Sequence, residues 1–255
     1  MFGFAGRREV VKRMPPGDVI CPFHSIIRGM SGKDVRQIIK LLEQEYGLPQ
    51  WRVRGDPLAV LVQTILSQNT SDKNSEPAFR RLVSCLDSWE EMAEASIEKI
   101  AGCIQSGGLA RVKAGYIKQA LTEVRQKRGD FDLSFLRGMS VEDARRWLMG
   151  LPGVGMKTAS CVLLFGLKMP ALPVDTHVFR VATRLGLIKE GISVEKAHRE
   201  LESLVPPAGV YRFHVLLITH GRRVCRARLP CCGRCVLREA CGWRGLGDND
   251  SCVNK

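Results

Sequence analysis

The sequence predicts an all-α fold, and three observations carry that prediction. Apolar residues recur at helical spacing along most of the 255 residues. No run sustains the strict apolar–polar alternation of a half-buried strand. The connections are short and rich in Gly, Pro, Asp and Asn. Taken in order, Val35, Ile38, Ile39, Leu42 and Tyr46 mark a first helix by their i, i+3, i+4, i+7 pattern. The turn signal Arg54-Gly55-Asp56-Pro57 precedes a second helix over 58–66, and Phe79, Leu82, Val83 and Leu86 outline a third. Val112, Tyr116, Ile117, Leu121 and Val124 form a longer stripe, followed by helical segments over 141–149, 156–167, 178–187, 194–205 and 211–220. Ser140 with Asp143 resembles a capping box, Ser193 is a good N-cap, and Leu204-Val205-Pro206-Pro207 reads as a connection. Residues 1–17 and 244–255 have no periodicity and are expected to be loose tails.

Composition narrows the class of partner. The chain carries 39 Lys+Arg against 26 Asp+Glu, a formal charge of +13. A surface that basic attracts polyanions, with nucleic acid ahead of acidic membranes or acidic proteins. With 45% hydrophobic residues, the chain suffices for one large or two modest cores. No apolar run approaches the ~20 residues of a membrane span, and the first thirty residues hold no signal-peptide pattern. The expectation is a soluble, cytoplasmic protein, nucleoid-associated if its source is prokaryotic, with no membrane partner.

The most informative stretch is Leu151-Pro152-Gly153-Val154-Gly155-Met156-Lys157, followed eighteen positions after the lysine by Asp175. Pro152, Gly153 and Gly155 make a tight turn between two helical stretches, where glycines allow positive φ and close approach of another backbone. A turn opening directly into a helix points unpaired N–H groups outward at the positive end of the helix dipole, and so can hold a phosphate without reading a base. Lys157 falls on the first turn of that helix and is a candidate nucleophile, against the blander reading of an exposed phosphate-binding lysine. Asp175 reads equally as the N-cap of a helix beginning near His177.

Ten cysteines in an intracellular chain also call for explanation. Five of them, Cys225, Cys231, Cys232, Cys235 and Cys241, fall within seventeen residues. So dense a cluster in a reducing compartment reads as metal ligation. The subset Cys225-x6-Cys232-x2-Cys235-x5-Cys241 offers four thiolates on a loop too short for its own core. It has one C-x2-C knuckle where a structural zinc site usually has two. Iron–sulfur clusters are held by less symmetric spacings, and spacing alone leaves both open. Cys231 is read as a spectator, and the scattered Cys21, Cys85, Cys103, Cys161 and Cys252 as small hydrophobes.

Together the hairpin, the lysine, the aspartate and the cysteine loop resemble the endonuclease III family of helix-hairpin-helix DNA glycosylases. Leu151-Pro152-Gly153-Val154-Gly155-x-Lys157-Thr158-Ala159 is similar to its hairpin with the catalytic lysine, and Val174-Asp175-Thr176-His177-Val178-Phe179-Arg180 to its catalytic-aspartate segment. Ile65 to Asp72 and Gly108 to Ala114 are similar to two of its DNA-facing loops, so the resemblance runs from about residue 33 to 243. It implies a 4Fe-4S cluster on Cys225, Cys232, Cys235 and Cys241. It also implies two lobes: a six-helix barrel over 49–168 containing the hairpin, and a cluster lobe built from 18–48 and 169–243. Lys157 and Asp175 would meet at the cleft, and a damaged nucleotide would have to leave the duplex to reach them. The implied activity is that of a bifunctional glycosylase and lyase of base excision repair. It would act as a monomer on double-stranded DNA holding a damaged base, an oxidised pyrimidine by family default, or an abasic site.

The same resemblance assigns further DNA contacts. Gln68 and Asn69 share the position of a polar wedge that fills the gap left by the flipped base. Leu109 matches an apolar prop for the opposite strand, whereas Gly107 stands where a second bulky wedge is expected. His177 is a candidate for lining the pocket, and Gly153 and Gly155 for approaching phosphate. Arg111, Lys113, Arg180, Arg222, Arg223 and Arg226 are candidate phosphate contacts, and His24, His198, His214 and His220 are read as structural. Monofunctional mismatch, uracil or alkylated-base glycosylases are the alternatives within the fold. Gln63 stands where the adenine-mismatch branch carries a glutamate, and Lys157 where that branch has no lysine. A non-catalytic helix-hairpin-helix DNA-binding protein is the alternative from another class.

Overall fold

The computed structural model describes residues 34–51, 55–70, 72–105 and 109–243, and among them every regular element is helical. The tails, Cys21, His24, Gly107 and Cys252 lie outside the described residues. Helix α1, Val35–Tyr46, starts where the Asp34 carboxylate accepts the Arg36 N–H and stops at Gly47, whose φ of 83° no helix interior allows. Helix α2, Pro57–Ser67, has Pro at its start and Asp56 as its cap. Its residues are apolar almost all round, so it is buried on most faces. Helix α3, Asp72–Cys85, follows. Next come two short helices absent from the sequence reading, α4, Trp89–Glu94, and α5, Ile97–Cys103, each opened by a serine N-cap, Ser88 and Ser96. Neither is long enough to show a period.

Helix α6, Ala110–Arg128, ends on Gly129 in the left-handed region. Helix α7, Val141–Met149, coincides with the segment predicted for it. Ser140 caps it by accepting the Asp143 N–H, while its own hydroxyl donates to the Asp143 carboxylate, so the reciprocal half of a capping box is replaced by a side-chain contact. The segment predicted as one helix over 156–167 divides into α8, Met156–Cys161, and a π turn, Val162–Gly166. Two contacts fix that widened turn. A Cβ on Gly166 would sit 2.8 Å from Pro57 Cα, so only glycine lets the turn lie against α2, and the Trp51 indole N–H donates to the Leu164 carbonyl. Helices α9, Thr176–Arg184, α10, Val194–Leu204, and α11, Val210–Arg223, complete the order.

The packing follows from these faces. Helix α2 packs against α3, α6, α8 and the π turn, α6 also receives α4 and α5, and α7 lies on α8. Helix α11 packs on α1 and α9. The chain's first described helix thereby joins its last ones. One continuous core includes fully buried Ile38, Leu58, Ile65, Leu82 and Phe213, where truncation to alanine typically costs about 2–5 kcal/mol. None of the described helices is long and apolar enough to cross a membrane.

Candidate active site

The hairpin is built from the end of α7 and the start of α8. Val154 N–H donates to the Leu151 carbonyl to close the turn. Gly153 sits at φ 74°, where a Cβ would lie 2.6 Å from Cγ of the Tyr116 ring. Gly155 differs from the expectation that both glycines use positive φ. It is extended, at φ −94° and ψ −179°, and a Cβ there would meet nothing within 4 Å. Gly153 is thus required by the fold, whereas Gly155 keeps clear the space in front of α8. As the N-cap, Gly155 has no side chain to cap the first N–H groups of that helix. Lys157 stands on this first turn.

Asp175 reaches the same region from the other end of the sequence. It is the N-cap of α9, and its Oδ1 accepts the N–H groups of His177 at 2.9 Å and Val178 at 2.8 Å. Oδ2 makes no hydrogen bond among the described residues. The segment leading into Asp175 is braced by His198 and His214, buried and structural as the sequence suggests, and by Glu202, which the sequence did not single out. His198 Nδ1–H donates to the Leu172 carbonyl at 3.0 Å, and His214 Nδ1–H to the Pro173 carbonyl at 2.9 Å. Glu202 accepts the Leu172 N–H at 2.8 Å and is held in turn by Arg145. Burial pushes the His198 pKa down to about 4, so its ring is neutral, and the Nδ1 bond puts its one proton on that atom.

Lys157 and Asp175 line one cavity of about 560 Å³, together with Gln63, Ser67, Glu76, His214, Thr219 and Arg222, floored by Val60, Phe165 and Ile218. That volume lies within the roughly 300–1,000 Å³ typical of small-molecule sites. An amine at a helix start and a carboxylate with one unoccupied oxygen therefore line the same partly open cavity. The pair can hold a proton, stabilise a cation and present a nucleophile.

The other predicted contacts separate into groups. Asn69 is exposed and adopts φ 52°, and Leu109 is 60% exposed at φ 49°. These are two of four described non-glycine residues in the left-handed region, a strain of about 1–2 kcal/mol that proteins concentrate at functional sites. Gln68 turns inward instead, its amide donating to the Gly153 carbonyl at 2.9 Å and pinning the hairpin to the end of α2. His177 does not line the cavity; it packs on Gly221 and meets the Arg180 guanidinium at 3.1 Å. Its pKa is held below the usual histidine value by burial, with the Asp175 charge acting against that shift.

Two candidate phosphate contacts are corrected. Lys113 is buried and its ammonium donates to the Leu66 carbonyl at 2.7 Å, and Arg180 donates to the Gly221 and Cys225 carbonyls. Both satisfy backbone oxygens of the fold. Arg111 is exposed and paired with Glu98, Arg223 lies over the Tyr46 ring, Arg222 lines the cavity, and Arg226 is exposed.

Cys225, Cys232, Cys235 and Cys241 are all partly buried free thiols around the short turns after α11. Burial pushes Cys235 up to about 12, and the charges of Cys225, Cys241 and Cys232 add to that rise. Arg184 donates to Cys225 Sγ at 3.3 Å, and the Cys241 thiol donates to the Arg184 carbonyl. Cys231 is buried and bonds Val224 through its backbone N–H. Among the described residues no three His, Cys, Asp or Glu side chains converge as they would around a single metal ion. The donor set of four soft sulfurs suits a thiophilic centre, zinc or iron–sulfur alike.

Comparison with known proteins gives a consistent set of relatives. The family model described as HhH-GPD superfamily base excision DNA repair protein matches residues 62–207. Endonuclease III of Thermotoga maritima is 36% identical over 196 residues, 76% of this chain and 87% of that one. An Arabidopsis thaliana relative is 40% identical over 162 residues, 64% of this chain, and the match spans 55% of its length. Among solved structures, a trapped endonuclease III–DNA covalent intermediate superposes with a TM-score of 0.72 at 28% identity, covering 84% of this chain and 96% of that one.

Proposed function

We propose, for a chain that belongs to the HhH-GPD superfamily of base excision DNA repair proteins and within it to the endonuclease III family, that it is a bifunctional DNA glycosylase and abasic-site lyase. The observation that carries this reading is the single cavity onto which both Lys157 and Asp175 open. A base reaches that cavity only after its nucleotide swings out of the duplex. Cleavage of the N-glycosidic bond builds positive charge on the sugar, and the Asp175 carboxylate, anchored through Oδ1, stabilises it. The Lys157 amine attacks C1′ through its lone pair as the base departs with the bonding pair; the nitrogen then gives up a proton, and the C1′–O4′ bond breaks with O4′ taking up a proton, which opens the sugar to an imine. Removal of a C2′ proton from that imine expels the 3′ phosphate by β-elimination, and water then frees the lysine.

The surroundings support a DNA partner, with a monomer acting on double-stranded DNA that holds a damaged base or abasic site. Gly155 leaves the N-terminus of α8 open to a phosphate. The exposure of Asn69 and Leu109 and their left-handed backbone support their reading as the residues that enter the duplex, with Gln68 bonded to the hairpin beside them. The two-lobed reading assigns α2–α8, seven helices where the resemblance implies six, to the barrel and α1 with α9–α11 to the other lobe, in keeping with the pairings α1–α11 and α9–α11. Cys225, Cys232, Cys235 and Cys241 would hold a 4Fe-4S cluster, which when bound supplies a cross-link to a loop with few apolar residues of its own. An abasic duplex tests the reading: strand cleavage is expected, and a mobility shift without cleavage would leave only a DNA-binding protein.

A further inference from the structure

Gln63 is among the polar residues of the cavity that the proposed chemistry does not use. It lies in the middle of α2, between Val62 and Thr64, in a helix whose other residues are apolar or small. Thr64 satisfies its own hydroxyl by donating to the Val60 carbonyl one turn back. The Gln63 amide has no such arrangement: it makes no hydrogen bond among the described residues, yet it borders the cavity shared by Lys157 and Asp175. A half-buried amide facing such a cavity has one donor group and one acceptor left to satisfy, and leaving them unmet is costly once water is expelled. Of the other α2 side chains on the same space, Val60 offers no polar atom, and the Thr64 and Ser67 hydroxyls donate to the Val60 and Thr64 carbonyls. The charged groups there, Lys157, Asp175, Glu76 and Arg222, cannot present a donor and an acceptor side by side.

We infer that Gln63 reads the edge of the flipped base. Its amide pairs with one donor and one acceptor on adjacent atoms, as the N3 and C4 positions of a pyrimidine provide. The inference rests on the glycosylase reading above and adds the residue that selects the base. An amide can rotate by half a turn, so it fits both an imide edge, with N3–H beside a C4 carbonyl, and an amino edge, with N3 beside a C4 amine. A carboxylate at this position can only accept, so on either edge it keeps one bond, from the N3–H of an imide or from a C4 amine, and sets its other oxygen against a lone pair, of the C4 carbonyl or of N3.

The test uses the full-length protein and three duplexes, carrying thymine glycol as the imide, 5-hydroxycytosine as the amino pyrimidine, and an abasic site. For Gln63→Leu the ratio of base release to abasic-strand cleavage is expected to fall on the order of ten- to a hundredfold on both lesions, the worth of one bidentate pair. For Gln63→Glu a fall is likewise expected on both lesions, because either edge sets one carboxylate oxygen against a lone pair. Thermal unfolding checks that both variants are folded. Base release and abasic cleavage falling in parallel, or either variant keeping the wild-type ratio of base release to abasic cleavage on both lesions, would overturn the assignment. A wild-type protein inert on the abasic duplex would overturn the glycosylase–lyase reading itself, and this inference with it.

Discussion

Replacing Gly153 and replacing Gly155 are expected to have different consequences, although both glycines belong to one hairpin. In Gly153→Ala the new Cβ must occupy φ 74° and lies 2.6 Å from Cγ and 2.9 Å from Cβ of Tyr116. The left-handed conformation costs about 1–2 kcal/mol. The collision is with the stem of the tyrosine, which cannot swing aside without moving α6, and overpacking of this kind costs roughly 1–3 kcal/mol. The total, about 2–5 kcal/mol, is on the order of 10 °C in Tm for a chain of this size. Gly155→Ala adds its Cβ to open space at φ −94°, and the helix end loses under about 1 kcal/mol. Its effect is to be read in DNA affinity, which falls equally on every duplex because a phosphate is displaced and no base is touched. Thermal unfolding and salt-dependent binding titrations of both variants decide the matter. Adding Tyr116→Ala to Gly153→Ala is expected to recover the collision part and leave the conformational part. A Gly155→Ala protein as unstable as Gly153→Ala, or a Gly153→Ala protein with wild-type Tm, would refute the reasoning.

Three other expectations follow from the same geometry. Asp175→Asn keeps an equally good N-cap but loses the charge facing the cavity, so base release is expected to slow by roughly 10²–10³-fold with Tm little changed; single-turnover kinetics with a melting curve measures both. Cys232→Ser is expected to lose the brown colour and the roughly four irons per chain that a 4Fe-4S protein carries, and stoichiometric zinc in a colourless anaerobic preparation of the wild type would contradict it. His198 has a folded pKa near 4 against a usual 6.5. The unfolded state therefore binds the proton first as pH falls. Stability from this residue is intact above about pH 6.5 and is lost progressively down to pH 4, by about 3 kcal/mol. Chemical denaturation of wild type and His198→Gln across that window should show a shallower acid loss in the variant.

Much of the fold was legible because it depends on local pattern. The stripe Val35 to Tyr46 and the cap Ser140 placed α1 and α7 at their observed bounds. Asp175 as an N-cap was likewise readable, since the geometry needs only the next three residues. What escaped depends on distant partners. The π turn exists because Gly166 lies on Pro57 and Trp51 takes a carbonyl, contacts more than a hundred positions apart. Lys113 looks like a surface cation, but in the folded chain it is buried against the end of α2. Gln68 and Asn69 are adjacent and chemically alike, and only the backbone turn at Asn69 separates the inward amide from the exposed one. The cavity pairing of Lys157 with Asp175 came from resemblance rather than from spacing, because no local rule brings two helix starts together.

The measurement that tests the central claim most directly is borohydride trapping on a lesion-containing or abasic duplex. With Lys157 as the amine that condenses with C1′, the wild-type protein is expected to form a covalent protein–DNA complex, and Lys157→Gln to form none while binding the duplex with unchanged affinity. A Lys157→Gln protein that still releases base and still traps would show that another amine is the nucleophile. One that releases base without trapping would show that water does the displacement, and the lyase half of the account would fall.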